Sequence, residues 1–180
     1  AVWLNFADDH LDRHPSVEAY AAAKGRIFEN QGPGDWAVIN ADDPSVLELA
    51  RRGLAARRLF ARSGSILEGT TIEDGWIVDR RCDRSDRLVP MSAIHLLGPH
   101  LVNDVLAAAT VGAIAGAAPV SMTAASDAFR GLEHAMELVA EIGGVRFVND
   151  SKATNVESAL RSVESFERDL VPIMGGRFKG

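Results

Sequence analysis

Short apolar runs alternate with helical patterns along the first third of the chain. The apolar runs are AVWLNF, DWAVIN and RRLFAR, and the segments SVEAYAAAKGRIFEN and DPSVLELARRG lie between them. Strands that alternate with helices pair in parallel, because the helix carries the chain back across the sheet. The pattern therefore predicts an α/β fold with a mainly parallel sheet.

The pattern changes after about residue 70. TTIEDGWIVDRR alternates apolar and polar positions on both sides of Asp74-Gly75, which predicts a β-hairpin turning at that pair. RLVPMSAIHLL is typical of one further strand. We expect these strands to form a small antiparallel edge on the same sheet.

Two helices and a new βα unit follow. We predict helices over 103–115 and 122–129, the second capped by Ser121. AMELVAEI and VRFVND flank Gly143-Gly144 and predict a hairpin or two neighbouring strands, and LVPIM is a strand near the end. The unit begins near residue 132, so we predict two domains, 1–131 and 132–180. The chain starts inside an apolar run without Met, as a piece of a longer protein would.

Composition narrows the class of protein. The chain is 47% hydrophobic with a net charge of −6, which is ordinary for a globular protein and argues against a nucleic-acid-binding surface. A single cysteine, Cys82, forms no internal disulfide, so we expect a reducing, cytoplasmic setting. DVLAAATVGAIAGAAP is too short for a membrane span and begins with Asp104, so we predict a buried core helix instead.

Titratable residues collect where the first strand ends. NFADDHLDRH places Asp8, Asp9, His10, Asp12 and His14 together, at an edge of the sheet where α/β proteins bind ligands. Their spacing fits metal or substrate binding, and it also fits simple helix capping by the aspartates. Mg²⁺ prefers carboxylates and phosphates to imidazole, which makes His10 an unusual ligand.

A lysine interrupts the apolar stripe of the first predicted helix, 15–30. Val17, Tyr20, Ala21, Ile27 and Phe28 form that stripe, and Lys24 falls in its middle. One interpretation is a side chain that extends past its neighbours to water. The other is a buried amine of lowered pKa that CO₂ carbamylates, which would give an anionic oxygen ligand for Mg²⁺.

The stretch RFVNDSKATNVESAL carries several polar side chains between a strand and a helix. Thr154 followed by Glu157 matches a capping box, which leaves Asp150 and Lys152 unexplained.

In GPHLVND, Asn103 falls in a first helical turn and either caps it or hydrogen-bonds to an adenine edge. GGRFKG, with Lys179, resembles an anion-binding loop. The sequence contains no G-x-x-x-x-G-K-[ST] and no G-x-S-x-G motif.

Seven motifs in this order resemble the Mur ligase family. They are LNFADDHLDRH, YAAAKGRIFEN, VINADDP, LLGPHLVND, RGLEHAMELV, FVNDSKATN and IMGGRFKG. The resemblance runs through nearly the whole chain, and NDSKATN is similar to the signature of the members that add D-glutamate.

The resemblance implies an ATP-dependent amide ligase of peptidoglycan synthesis. Such an enzyme phosphorylates a substrate carboxylate, and the amine of D-glutamate attacks the acyl phosphate. It further implies UDP-N-acetylmuramoyl-L-alanine as the second substrate, Mg²⁺ as cofactor, a monomer when full length, and a P-loop upstream of Ala1. The chain would cover the later part of a central ATPase domain and the start of a Rossmann-like C-terminal domain, and would be inactive alone.

The resemblance also assigns roles to individual residues. His10 would bind the second Mg²⁺ together with carbamylated Lys24. Asn103 would contact adenine and Asp150 the ribose side. Lys152, Thr154 and Lys179 would face the acyl phosphate and the carboxylates of D-glutamate.

The chain departs from the family pattern at three positions. Ala135 stands where relatives have an arginine that reaches the phosphates, and Arg130 or Arg177 could replace it. Leu101 replaces an asparagine, and Arg177 stands where some relatives have an acidic residue. Two other classes remain open: a different Mur ligase or folylpolyglutamate synthase-like ligase, and a non-catalytic nucleotide-binding relative.

Overall fold

A computed structural model of the chain describes residues 1–63, 66–167 and 169–176. Within this part, six strands form one sheet whose spatial order follows the sequence, and two strands form a second sheet. The strands of the first sheet are β1 (Val2–Trp3), β2 (Trp36–Asn40), β3 (Ala56–Phe60), β4 (Gly69–Glu73), β5 (Trp76–Arg81) and β6 (Arg84–Pro90). The second sheet contains β7 (Glu137–Ile142) and β8 (Val145–Asn149).

The first sheet is parallel on one side and antiparallel on the other. β1 to β4 pair in parallel, and β4 to β6 pair antiparallel. Asp74 and Gly75 join β4 to β5 with φ angles of 47° and 76°. Two positive φ values are the geometry of a tight hairpin turn that matches strand twist. The predicted α/β fold, its antiparallel edge and the second hairpin at Gly143-Gly144 are confirmed.

Five α-helices connect and cover the strands. They are α1 (Val17–Gly25), α2 (Pro44–Leu49), α3 (Leu101–Ile114), α4 (Pro119–Ala128) and α5 (Val156–Glu164). The predicted helices over 103–115 and 122–129 correspond to α3 and α4. Among the described residues, no helix is both long enough and apolar enough to cross a membrane.

Successive residues of a strand point to opposite faces, and the two faces of the sheet carry separate cores. On one face Val38 and Phe60 pack with Leu106 of α3. On the other face Ile39 packs with Val46 of α2. The buried helix expected from the Ala-rich segment is therefore α3, lying on the sheet.

Three details of the sequence-based prediction are wrong. α1 ends at Gly25 and continues only as a 3-10 turn, with Ser16 as its cap. β6 ends at Pro90 and a 3-10 turn follows, so IHLL is a loop rather than a strand. α4 begins at Pro119, whose missing N–H needs no cap, and Ser121 lies inside the helix.

The expected strand LVPIM is also absent from the described residues. It falls within 169–176, where no residue pairs with a neighbouring strand. Ile173 is 99% exposed there, so neither side of the segment is packed. A strand is stable only when a neighbour satisfies its backbone groups, and the described part of the chain offers none.

A buried carboxylate links β5 to β3 across the intervening strand β4. Asp79 of β5 is 2% exposed, and it forms ion pairs with Arg58 of β3 and Arg81 of β5. The Arg81 Nη2–Asp79 Oδ2 distance is 3.1 Å. A buried charge is tolerated only when it is paired, so the three side chains depend on one another.

We expect Asp79→Ala to lower the free energy of unfolding by about 3 kcal/mol, because it leaves Arg58 partly buried without its partner. Urea denaturation measures this change. Asp86→Ala is the matched control, since Asp86 pairs with Arg84 at a position where both side chains are about half exposed. It should cost no more than about 1 kcal/mol. Equal losses in the two variants would contradict this account of the sheet.

Candidate functional site

A cleft of about 930 Å³ lies between the first sheet and the β8–α5 junction. Its walls come from the loops after β1, β2 and β3, from the start of α3 and from the start of α5. Lining residues include Asn5, Asn40, Asp42, Asp43, Arg62, Ser63, His100, Asn103, Asp104, Asp150, Lys152, Asn155, Glu157 and Arg161. Carboxyl ends of parallel strands meet at one edge of the sheet, which is why these loops converge.

Asn103 lines this cleft from the first turn of α3, and its side-chain oxygen is buried without a hydrogen-bond partner. The alternative that Asn103 merely caps the helix is not supported by its side chain, because that oxygen bonds to nothing described. Buried polar atoms are normally paired, so an unpaired one at a cleft points to a missing ligand. The carboxamide can accept from an amine and donate to a ring nitrogen, as an adenine edge requires.

Asp150 reaches the cleft from the end of β8. Its carboxylate accepts hydrogen bonds from the backbone N–H of Met136, at 3.0 Å, and from the hydroxyl of Ser162. Across the cleft, burial lowers the pKa of His100, while the charges of Asp150 and Asp104 oppose this shift. A carboxylate can accept about four hydrogen bonds, so with two donors in place Asp150 keeps acceptor positions for the hydroxyl groups of a ligand.

Lys152 and Thr154 are both exposed beside Asp150. The backbone N–H of Lys152 donates to His134 O at 3.0 Å, which fixes the loop while leaving the ammonium group on the cleft side. Thr154 neither caps α5 nor lines the cleft.

The capping box expected from Thr154 and Glu157 is wrong. Asn155 caps α5 instead, accepting from Ser158 N at 2.8 Å. Glu157 does not reach back to the cap, because its carboxylate pairs with Arg161 one turn along the helix. The capping position is one residue later than the sequence pattern suggested.

His10 and Lys24 meet at the ring of Tyr20. The imidazole of His10 packs edge-on at 5.7 Å between ring centroids, and Lys24 Nζ lies 5.6 Å from the Tyr20 centroid. His14 packs on the same ring at 5.2 Å. The predicted pair is therefore brought to one side chain, but neither residue lines the cleft.

Lys24 is exposed, which supports the interpretation of a side chain that extends to water over that of a buried amine. Only Tyr20, Ala21 and Phe28 of the predicted stripe are buried, and Ile27 is 49% exposed. α1 ends at Gly25 and a 3-10 turn over Arg26–Phe28 follows, in which Phe28 is buried and Ile27 is not. Among the described residues, no group of three or more His, Cys, Asp or Glu side chains could hold a metal.

Two further predictions concern residues near the chain end and the missing arginine. Lys179 and Arg177 lie outside the described residues. Arg130, which could replace the arginine expected at position 135, donates from Nη1 to the carbonyls of Asp127 and Phe129. It also does not line the cleft.

Two cleft residues, Asp42 and Asn155, have contacts that the sequence did not indicate. Asp42 accepts from the backbone N–H groups of Arg62 and Ser63, which holds the loop after β3 against the loop after β2. Asn155 donates to Asp9 Oδ2 at 3.1 Å across 146 positions of sequence. The VINADDP and NDSKATN motifs contain Asp42 and Asn155, but neither motif indicates these long-range partners.

The family model and two of the curated relatives that match this chain all represent Mur ligases. The model of the Mur ligase middle domain matches residues 1–112. UDP-N-acetylmuramoylalanine--D-glutamate ligase of Koribacter versatilis is 41% identical over the whole chain, and that of Acidobacterium capsulatum is 42% identical over 99% of it. The chain spans only about two fifths of the length of these relatives, 40% and 39% respectively.

Solved structures of low sequence identity share the fold. MurF from Acinetobacter baumannii matches with a TM-score of 0.72 and 15% identity, over 91% of this chain and 36% of that one. A pseudomurein peptide ligase type C from Methanothermus fervidus matches with a TM-score of 0.68 and 16% identity, over 92% of this chain and 40% of that one. On the family model, which covers more than half of its residues, the chain belongs to the Mur ligase family.

Proposed function

We propose that the complete gene product is an ADP-forming amide ligase that adds D-glutamate to UDP-N-acetylmuramoyl-L-alanine in peptidoglycan synthesis. ATP would phosphorylate the substrate carboxylate, and the amine of D-glutamate would displace phosphate from the acyl phosphate. About 40% identity to relatives named for this reaction supports the proposal. We place the reaction in the cytoplasm, in keeping with the free thiol of Cys82.

The observation that carries the proposal is the shared cleft. Asn103 comes from α3 on the first sheet, whereas Asp150 and Lys152 come from the β8–α5 junction, and all three line one cavity. A ligase must hold a nucleotide and an incoming amino acid next to each other, so that the activated carboxyl and the amine meet. A cavity lined by two structural units suits that task.

Each cleft residue has a chemical role in the proposal. Asn103 contacts the adenine edge, and Asp150 accepts from the ribose. Lys152 supplies a positive charge close to the acyl phosphate and to the D-glutamate carboxylates, where it stabilises the negative charge of the transition state. Thr154 offers a hydroxyl at the same junction, and Lys179 keeps its predicted role as a further cation.

His10 and Lys24 are proposed to hold Mg²⁺, with Lys24 as a carbamate. Both lie against Tyr20, and Lys24 is exposed to dissolved CO₂. The imidazole and a carbamate oxygen fit part of a coordination sphere, and water or phosphate oxygens would complete it. When bound, Mg²⁺ neutralises phosphoryl oxygens. His10 and Lys24 themselves contribute orientation and one negative charge.

D-Glutamate should be required for turnover of the complete gene product. We expect phosphate release with ATP and UDP-N-acetylmuramoyl-L-alanine to favour D-glutamate over L-glutamate by at least roughly 100-fold in kcat/KM, since the site must pair both carboxylates of the correct isomer. A coupled phosphate assay measures this. Indifference to D-glutamate would contradict the proposal. A preference for a folate acceptor would indicate the related ligase, and nucleotide binding without turnover the non-catalytic relative.

Lys24→Ala should reduce turnover by about 100-fold, because it removes the group that would become a charged metal ligand. Acetate or another short carboxylate should restore part of the activity by occupying the vacated position. Arg26→Ala is the control, since Arg26 is exposed and pairs only with Glu29 in the same turn. Full activity of Lys24→Ala, or a loss that no carboxylate relieves, would contradict the proposal that Lys24 acts as a carbamate.

Asn103→Leu should raise the KM for ATP about tenfold without lowering stability. One lost hydrogen bond of about 1.4 kcal/mol accounts for the tenfold change. The side-chain oxygen has no partner to lose within the described protein, so unfolding should not become easier. Thr110→Val is the control on α3, because Thr110 donates to Leu106 O away from the cleft. A large drop in stability with unchanged KM would make Asn103 a structural residue.

A further inference from the structure

Asn155 uses both ends of its side-chain amide. The oxygen caps α5 by accepting from Ser158 N at 2.8 Å, and the nitrogen donates to Asp9 Oδ2 at 3.1 Å. Asp9 belongs to the loop after β1, so this bond links the unit containing α5 to the first sheet. One side chain therefore ties the start of a helix to a loop of the other unit.

Asp9 passes this connection on to His10. Its Oδ1 accepts from the backbone N–H of His10 at 2.7 Å, while its Oδ2 accepts from Asn155. The Asp9 side chain is only 12% exposed. Two hydrogen bonds on one shielded carboxylate form a continuous connection from α5 to the backbone of His10.

His10 has a backbone conformation that its surroundings must maintain. Its φ is 58°, in the left-handed region that residues other than glycine rarely adopt. The carbonyl of His10 also accepts from Arg13 N and His14 N, at 2.9 and 3.0 Å, so a tight turn starts at this residue. A residue held in an unfavourable conformation at a functional loop indicates that its orientation matters.

Capping alone does not require asparagine at position 155. Aspartate, serine and threonine also cap helices well, because a cap needs only an acceptor oxygen. Aspartate would place a second negative charge against Asp9. Asparagine supplies the acceptor for Ser158 together with a donor that reaches Asp9.

We propose that Asn155 is a positioning residue, which fixes the His10 turn to α5 through Asp9 and thereby sets the orientation of the His10 imidazole. The inference rests on the proposed function only in taking His10 as a residue that ligation needs. Lys152 lies three residues before Asn155 on the same junction. A movement of the junction that carries Lys152 and Asn155 would therefore also move the His10 turn.

An exchange of the two side chains tests this connection in the complete gene product. Asn155→Asp keeps the cap and replaces the bond to Asp9 with charge repulsion. Combined with Asp9→Asn, it restores a donor and an acceptor in reversed positions, and the new asparagine oxygen can still accept from His10 N. Asp9→Asn alone leaves one acceptor oxygen at position 9 for two donors, His10 N and Asn155 Nδ2. It provides a second variant should Asn155→Asp fold poorly.

Hydrogen–deuterium exchange of residues 9–14, measured without nucleotide or metal, is the first readout. We expect Asn155→Asp to speed exchange in this turn about tenfold, corresponding to one lost hydrogen bond. Exchange in α5 should not change, because the cap remains. The double variant should return the turn to within about threefold of the original rate.

The Mg²⁺ concentration for half-maximal turnover is the second readout, and a merely structural role would not change it. Asn155→Asp should raise this concentration about tenfold, as loss of support behind a metal ligand does. The inference is overturned if exchange and Mg²⁺ dependence stay unchanged, or if the double variant restores neither. Failure of the unsubstituted protein to ligate would instead reject the proposed function. The exchange rates would still test whether Asn155 holds the His10 turn through Asp9.

Discussion

The buried amide of Asn40 holds the loops of the cleft in place. It stands at the end of β2 with 3% exposure, donating to Leu4 O at 2.7 Å and accepting from Asp42 N at 2.9 Å. The chain after β1 and the chain after β2 are therefore fixed to one side chain. Asp43 adds a second connection by accepting from Phe6 N at 2.8 Å. These hydrogen bonds hold the loops after β1 and β2 that carry Asn5 and Asp42 into the cleft.

Charge in the cleft is distributed so that cations remain available. The carboxylates of Asp42 and Asp150 are occupied by backbone N–H groups and hydroxyls, and Glu157 is paired with Arg161. Lys152 forms no ion pair with any described residue. Phosphate and carboxylate groups are anionic, and an unpaired ammonium next to satisfied carboxylates favours them without costing the protein an existing ion pair.

Sequence patterns predicted the parts of the fold that local chemistry determines. The hairpin at Asp74-Gly75 was predictable because its turn needs positive φ at both positions, and β2 because its apolar run is continuous. The residues of the cleft were found only in part. Asn103 and Asp150 lie in recognisable motifs, whereas the bond from Asn155 to Asp9 depends on how two units pack, which no local pattern encodes. Sequence left two interpretations of Lys24 open, and its exposure supports the side chain that extends past its neighbours to water.

We propose that one cleft holds a nucleotide at α3 and an amino acid at the β8–α5 junction, with a metal ion bound at the His10 turn outside the cleft lining. A crystal structure of the complete gene product with ADP and Mg²⁺ tests it most directly. We expect adenine to contact the Asn103 amide, and a metal ion to be coordinated by His10 and by a carbamate on Lys24. Adenine bound elsewhere, with His10 remote from any ion, would contradict the account.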